Sequence, residues 1–165
     1  MGDRAGRLEL YLLRHADAGD STTWAVADAE RPLSPKGQRQ AERMGRHLAS
    51  LGFEPDAIVT SPKIRAAQTA AAVAAALGRP VAEDPRLADA FDIDELTAIV
   101  HDAGDPARVV LVGHDPDFSD VLARLVGAVA IPMRKGALAR VDLIRPIEVG
   151  SGILRWLISP DALPG

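Results

Sequence analysis

The chain alternates short apolar runs with longer segments in which apolar residues recur every three or four positions. The short runs are typical of buried strands, and the longer segments are typical of amphipathic helices. The predicted strands are residues 8–13, 57–60, 108–112, 137–144 and 152–158, with a short extended segment at 81–87. The predicted helices are residues 34–51, 61–77, 92–102 and 118–126. This alternation predicts an α/β fold of three layers, in which a mostly parallel sheet with antiparallel closing strands lies between two layers of helices.

Two Ser-Pro pairs mark the starts of the first two predicted helices. In Ser34-Pro35 and again in Ser61-Pro62, the hydroxyl can accept a free backbone amide, and the proline suits the first helical position. Residues 16–33, which precede the first of these helices, have no hydrophobic period. They are predicted to form a long surface loop, and such loops in compact domains are often functional.

Length and composition narrow the class of protein. The length of 165 residues fits one domain, which we expect to span residues 1–165 with a disordered tail at residues 1–7. The net charge of −4 argues against a surface for nucleic acid or for anionic membranes. The absence of cysteine excludes disulfides and thiol catalysis. With no apolar stretch near the ~18 residues of a membrane span and no secretory signal, we expect a cytoplasmic protein.

Arginines and histidines follow three of the predicted strands. Arg14 and His15 follow the first strand, Arg65 lies one turn into the helix after the second, and His114 follows the strand at 108–112. Ligands of such sheets bind beyond the carboxyl ends of the strands, and the start of a helix favours anions. Two arginines and two histidines at one sheet edge therefore predict a phosphate-binding site in which one histidine is the nucleophile.

The order and spacing of these residues resemble the histidine phosphatase superfamily, which has the phosphoglycerate-mutase-like fold. The family's Arg-His-Gly signature is present at residues 14–16 with alanine in the third place, and its Gly-His is present at residues 113–114. Its Ser-Pro-x-x-Arg-x-x-x-Thr is intact at residues 61–69, and residues 31–34 resemble the family's helix start. The resemblance covers about residues 8–160, which is nearly the whole chain.

The short length and the residues 14–18 are similar to the SixA-type phosphohistidine phosphatases within this superfamily. The resemblance implies that His15 attacks phosphorus and becomes phosphohistidine. It also implies that Arg14, Arg65 and His114 surround the phosphoryl oxygens, with Ser61 as a further substrate-binding candidate. Because these cations already supply positive charge, we expect neither a metal ion nor another cofactor.

The general acid and the substrate remain open from the sequence. Asp17, two residues after His15, and Asp89, in the region where larger relatives place a glutamate, are both candidate acids. The absence of a convincing acid favours phosphohistidine on a protein such as a histidine phosphotransfer domain, because an imidazole leaving group depends less on a dedicated acid than an alkoxide, which is the poorer leaving group. The alternative is a phosphomonoesterase for a small phosphorylated metabolite. A phosphoglycerate-mutase-type enzyme is a third hypothesis. It is less favoured because a mutase usually needs a covered site.

Overall fold

The computed structural model describes residues 6–165 as one sheet flanked by helices. The strands β1 to β6 are Arg7–Arg14, Ala57–Thr60, Ala82–Glu83, Arg108–Gly113, Leu138–Ile144 and Ile153–Ile158. The α-helices α1 to α4 are Pro35–Ser50, Ile64–Leu77, Ile93–Asp102 and Asp117–Val126. Short 3-10 turns lie at Ser21–Thr23, Asp28–Glu30, Pro85–Leu87 and Pro160–Ala162.

The strands form one six-stranded sheet in the order β3-β2-β4-β1-β5-β6. β1 and β2 both run parallel to β4, and β3 runs parallel to β2. β5 is antiparallel to β1, and β6 is antiparallel to β5. The predicted fold class, a mostly parallel sheet with antiparallel closing strands, is therefore confirmed.

Helices cover both faces of the sheet because the central strands are apolar on both sides. Leu10 and Leu12 of β1 belong to a core that includes residues of α3 and α4. Tyr11 and Leu13 of the same strand belong to a second core with residues of α1 and α2. The alternation of side chains along a strand sends successive residues to opposite faces, and the two cores hold β1 and β4 rigidly between them.

The ends of two elements differ from the sequence prediction. Ser34 caps α1 as expected, since its Oγ accepts the Gly37 amide at 3.0 Å. Ser61 does not cap α2, which begins at Ile64 with Lys63 in the capping position and no side-chain cap. Its Oγ is used in the pocket described below, and the helix starts two residues later than the Ser-Pro pattern indicates.

The expected N-terminal tail at residues 1–7 does not extend to Arg7. Arg7, which was placed in the tail, is the first residue of β1 and pairs with Ile144 of β5. Residues 1–5 of that expectation lie outside the described residues. None of the helices between residues 6 and 165 is long and apolar enough to cross a membrane.

Candidate active site

The strand order places the predicted site residues at one edge of the sheet. β4 lies between β1 and β2, so the carboxyl ends of these three strands are adjacent. Backbone hydrogen bonds continue past the strand ends, from His15 N to the Gly113 carbonyl at 3.0 Å and from Ser61 N to the Val112 carbonyl at 2.9 Å. The segments that carry Arg14, His15, Ser61 and His114 are thereby joined side by side. We call Arg14, His15, Arg65 and His114 the basic pocket.

His15 has one ring nitrogen engaged by the backbone. Its Nδ1 lies 2.7 Å from the Ala16 carbonyl oxygen, which can only accept, so the proton is assigned to Nδ1. Nε2 then keeps its lone pair. Burial, together with the nearby guanidinium groups of Arg65 and Arg14, lowers the pKa of His15 to about 4. The ring is therefore neutral near pH 7, the form in which a histidine is nucleophilic.

His114 faces His15 across the pocket, with ring centroids 5.3 Å apart. Its Nε2 lies 2.7 Å from Ser61 Oγ, which also accepts the Lys63 amide at 3.2 Å. We assign the Ser61 hydroxyl proton to His114 Nε2, which leaves the imidazole proton on Nδ1. Burial, and then the proximity of His15 and Arg65, lower the pKa of His114 to about 3. His114 is thus a neutral donor through Nδ1.

The observed contacts of Ser61 differ from the substrate contact that the resemblance implies. Its side chain is fully buried, at 0% exposure, and both of its hydrogen bonds go to protein groups. The arrangement supports a role in fixing the His114 ring. Thr69 has a comparable place on α2, since its hydroxyl donates to the Arg65 carbonyl at 2.7 Å and accepts the Ala16 amide at 3.1 Å.

The two arginines of the pocket are each held at the end of the guanidinium group. Arg14 Nη1 donates to the Met133 carbonyl at 2.7 Å and lies 3.5 Å from Asp115 Oδ2. Arg65 Nη1 donates to the Asp28 carbonyl and Nη2 to Asp28 Oδ2, both at 2.9 Å. Burial lowers the pKa of Arg65, yet an arginine remains charged in proteins.

Three buried nitrogens of the pocket have no hydrogen-bond partner among residues 6–165. They are Arg14 Nε, Arg65 Nε and His114 Nδ1. Buried donors are almost always satisfied, and an orphaned one costs about 1–3 kcal/mol. A bound oxyanion would satisfy such donors, so their presence beside His15 fits the chemistry of a phosphoryl group.

Three carboxylates, Asp17, Asp28 and Asp89, surround this pocket, and we call them the acidic rim. Asp17 accepts the Ser34 hydroxyl at 2.5 Å and lies 3.3 Å from Lys135 Nζ. The hydrogen bond from Ser34 is the main cause that lowers the pKa of the Asp17 carboxyl. Gly37 permits this packing, because a Cβ at that position would collide with the Asp17 backbone. Asp17 is therefore ionised near neutral pH, which opposes its expected role as a proton donor.

Asp89, the other expected acid, is also ion-paired. Its Oδ1 lies 2.9 Å from Lys63 Nζ, and its side chain is 82% exposed. The hydrogen bond from Lys63 lowers the pKa of the Asp89 carboxyl, so this group too favours the ionised form. The structure thus places both candidate acids near the pocket but in environments that stabilise the carboxylate.

Sequence reasoning missed several residues that shape the site. Asp28 and Arg31 lie in the loop between β1 and α1 and reach the pocket, and the Met133 carbonyl and Lys135 come from the segment after α4. Only Arg31 had a sequence signal, since it begins the segment 31–34 that resembles the family's helix start. Within residues 6–165, no group of three or more histidines and acidic residues is arranged to hold a metal ion.

Comparison with known proteins identifies the family. The model of the histidine phosphatase superfamily (branch 1) matches residues 10–130, and the chain belongs to this superfamily. It is therefore a histidine phosphatase, a hydrolase with a histidine nucleophile.

Individual relatives agree with this placement. The chain is 28% identical over 158 residues to the phosphohistidine phosphatase SixA of Escherichia coli, covering 93% of this chain and 94% of the relative. It is 37% identical over 116 residues to an uncharacterized protein of Picosynechococcus, covering 68% of this chain and 70% of the relative. A solved structure of the protein histidine phosphatase SixA complexed with tungstate matches with a TM-score of 0.81 and 27% identity, covering 93% of this chain and 98% of that one.

Proposed function

We propose that this protein removes the phosphoryl group from phosphohistidine on a protein, by way of a covalent phosphohistidine at His15. The observation that carries the proposal is the state of His15 itself. Its Nδ1 is bound to the Ala16 carbonyl, and its Nε2 is free for attack beside three orphaned buried donors. The similarity over nearly the full length to the phosphohistidine phosphatase SixA supports the same substrate class.

In the first step, the lone pair of His15 Nε2 attacks phosphorus and the P–N bond of the substrate breaks. The departing imidazole takes up one proton. The Nε–H groups of Arg14 and Arg65 and the Nδ1–H of His114 donate to the equatorial phosphoryl oxygens. Because these donors are already in place, they stabilise the charge that spreads over those oxygens in the transition state.

In the second step, water attacks the phosphoryl group on His15 and the bond to Nε2 breaks. Inorganic phosphate leaves, and His15 returns to its neutral form with the proton still on Nδ1. The same donors serve both steps, because the phosphoryl group moves only between the substrate, His15 Nε2 and water.

The state of the rim carboxylates supports a P–N substrate over a P–O substrate. The pKa of each rim carboxyl is lowered, for Asp17 and Asp89 mainly by a hydrogen bond from Ser34 or Lys63. An alkyl phosphate releases an alkoxide, which is a poor leaving group, and needs an acid that is protonated near neutral pH. The ring of a phosphohistidine can instead take up a proton from solvent before the P–N bond breaks, so that neutral imidazole, a better leaving group, departs.

A turnover panel tests the proposal. We expect faster dephosphorylation of a phosphohistidine protein than of simple alkyl phosphates, with full activity in the presence of a strong chelator. If alkyl phosphates react far faster than any phosphohistidine protein, the enzyme is a small-molecule phosphomonoesterase. If a chelator abolishes activity and one divalent ion restores it, the proposal of metal independence is wrong.

A further inference from the structure

Asp28 contacts the pocket from outside through two hydrogen bonds from Arg65. It lies in the 3-10 turn Asp28–Glu30, within the loop that joins β1 to α1. Its backbone carbonyl and its Oδ2 each accept a hydrogen bond from Arg65 at 2.9 Å. Its other carboxylate oxygen, Oδ1, accepts from Arg31 Nε at 3.1 Å. One aspartate therefore bridges two guanidinium groups.

Arg31 is itself fixed in place, so Asp28 is held from both sides. Arg31 Nη1 donates to the Ala18 carbonyl at 2.7 Å, and its side chain is only 11% exposed. Although partial burial opposes it, the contacts with Arg31 and Arg65 lower the pKa of the Asp28 carboxyl. The carboxylate therefore stays charged. The positive charge of Arg31 offsets the repulsion that the Asp28 carboxylate would exert on a bound anion.

The contacts with Asp28 hold the Arg65 guanidinium group in place without blocking the part of it that could bind an anion. Both terminal nitrogens of Arg65 donate to Asp28, so Asp28 occupies the end of the guanidinium group. Nε remains buried and without a partner in the described part of the chain. A guanidinium group has five donors in a planar fork, and the edge formed by Nε and one terminal nitrogen can still bind two oxygens of an anion.

We propose that Asp28, supported by Arg31, is a positioning residue that fixes the plane of Arg65 so that its Nε edge faces the phosphoryl group. This inference rests on the proposed role of Arg65 in binding that group. Without Asp28, the long Arg65 side chain would have to lose its own conformational freedom when the phosphoryl group binds. The opposite interpretation, in which Asp28 competes with the phosphoryl group for Arg65, predicts an effect of the opposite sign.

Direct binding of orthovanadate or inorganic phosphate, measured by calorimetry, tests the sign. We expect Asp28→Ala to weaken anion binding by about ten- to hundredfold, as for lost hydrogen bonds to a charged group. Asp28→Asn, which keeps a side-chain oxygen as acceptor, should lose less anion affinity. This variant also provides the test if Asp28→Ala does not fold. Glu30→Gln is the matched control, because Glu30 is exposed in the same turn. Unchanged or tighter binding by Asp28→Ala, or an equal loss in Glu30→Gln, would overturn the inference.

A double-mutant cycle tests whether Asp28 acts through Arg65. In an Arg65→Ala background, Asp28→Ala should cause no further loss of anion affinity. Additive losses would mean that Asp28 acts by another route and would overturn the inference. These measurements use only the anion, so a failure to hydrolyse phosphohistidine with anion binding intact would count against the proposed function alone. Failure of the wild-type protein to bind either anion would overturn both.

Discussion

The basic pocket and the acidic rim lie side by side and carry charges of opposite sign, and they are built in opposite ways. His15, Arg65 and His114 are buried and Arg14 is partly buried, and three nitrogens of the pocket have no hydrogen-bond partner within residues 6–165. The rim carboxylates are each paired with a lysine or arginine, and the side chains of Asp28 and Asp89 are 53% and 82% exposed. The pocket is therefore ready to receive an anion, whereas the rim is already neutralised.

This difference indicates that the pocket and the rim have different roles. Unpaired donors in a buried site stabilise charge at little cost of rearrangement, so we propose that the reaction takes place in the pocket. Paired carboxylates with lowered pKa values hold other side chains in position and are poor proton donors. Substitutions in the two regions test this division of roles.

The largest effects are expected within the pocket. Removal of one oxyanion-type donor typically costs roughly 10²–10³-fold in rate, and we expect at least this loss for Arg65→Ala and for His114→Ala. Steady-state kinetics on a phosphohistidine protein measure the loss, and circular dichroism checks that the fold is retained. Near-normal turnover in either folded variant would mean that the pocket is placed wrongly.

A smaller effect is expected for the residue that fixes His114. Ser61→Ala removes the hydrogen bond to His114 Nε2, so the ring loses its preference for a proton on Nδ1. We expect a loss of roughly tenfold in kcat, the size of one hydrogen bond of about 1–1.5 kcal/mol. Ser61→Thr, which keeps the hydroxyl, is the control and should retain more activity. Equal losses in the two variants would show that packing, and not the hydroxyl, matters at this position.

Changes at Asp17 and Asp89 of the rim should have much weaker effects than changes in the pocket. Asp89→Asn breaks an exposed ion pair of little energetic value, and Asp17→Asn keeps an oxygen that can accept from Ser34. We expect both variants to retain phosphohistidine turnover within roughly threefold, since general acids contribute about 10²–10⁴-fold where they act. The assay must include alkyl phosphates, because activated aryl phosphates hide the need for an acid. A selective loss of roughly 10²-fold on alkyl esters would identify that aspartate as the acid.

The smallest expected effect is a nearly flat pH profile. Because burial and the neighbouring arginines lower the pKa of His15 to about 4, the neutral form persists as the pH falls from 7 to 5. At pH 5 about nine-tenths of His15 remains neutral, whereas a histidine with its ordinary pKa would be almost fully protonated. Because kcat/KM reports the ionisation of the free enzyme, we expect the contribution of His15 to kcat/KM to change by less than about twofold between pH 7 and pH 5. A decline centred near pH 6.5 would contradict the environment that we describe for His15.

The parts of this molecule that could be predicted from sequence are those fixed by local pattern and sheet topology. Arg14, His15 and His114 follow apolar strands, and parallel strands bring their carboxyl ends together. The start of α2 could not be predicted, because the Ser61 hydroxyl is diverted to His114, 53 residues away in sequence. Asp28 could not be placed either, because its loop has no period and its contact with Arg65 depends on the tertiary path of the chain.

For the same reason, the general acid could not be identified from the sequence. Whether an aspartate donates a proton depends on its neighbours in space. The decisive neighbour of Asp89, Lys63, lies 26 residues earlier, and that of Asp17, Ser34, lies 17 residues later. The position after His15 selected Asp17 and the resemblance to larger relatives selected Asp89, but only the folded contacts show that these carboxyls are held in the ionised form.

The central claim is that His15 carries the phosphoryl group during turnover. The most direct test is to mix the enzyme with a labelled phosphohistidine protein, quench within the first turnover and locate the label by mass spectrometry. We predict label on His15 in the wild-type protein, labile to acid and stable to alkali, and none on His15→Ala. Label retained at the wild-type level by His15→Ala would contradict the account.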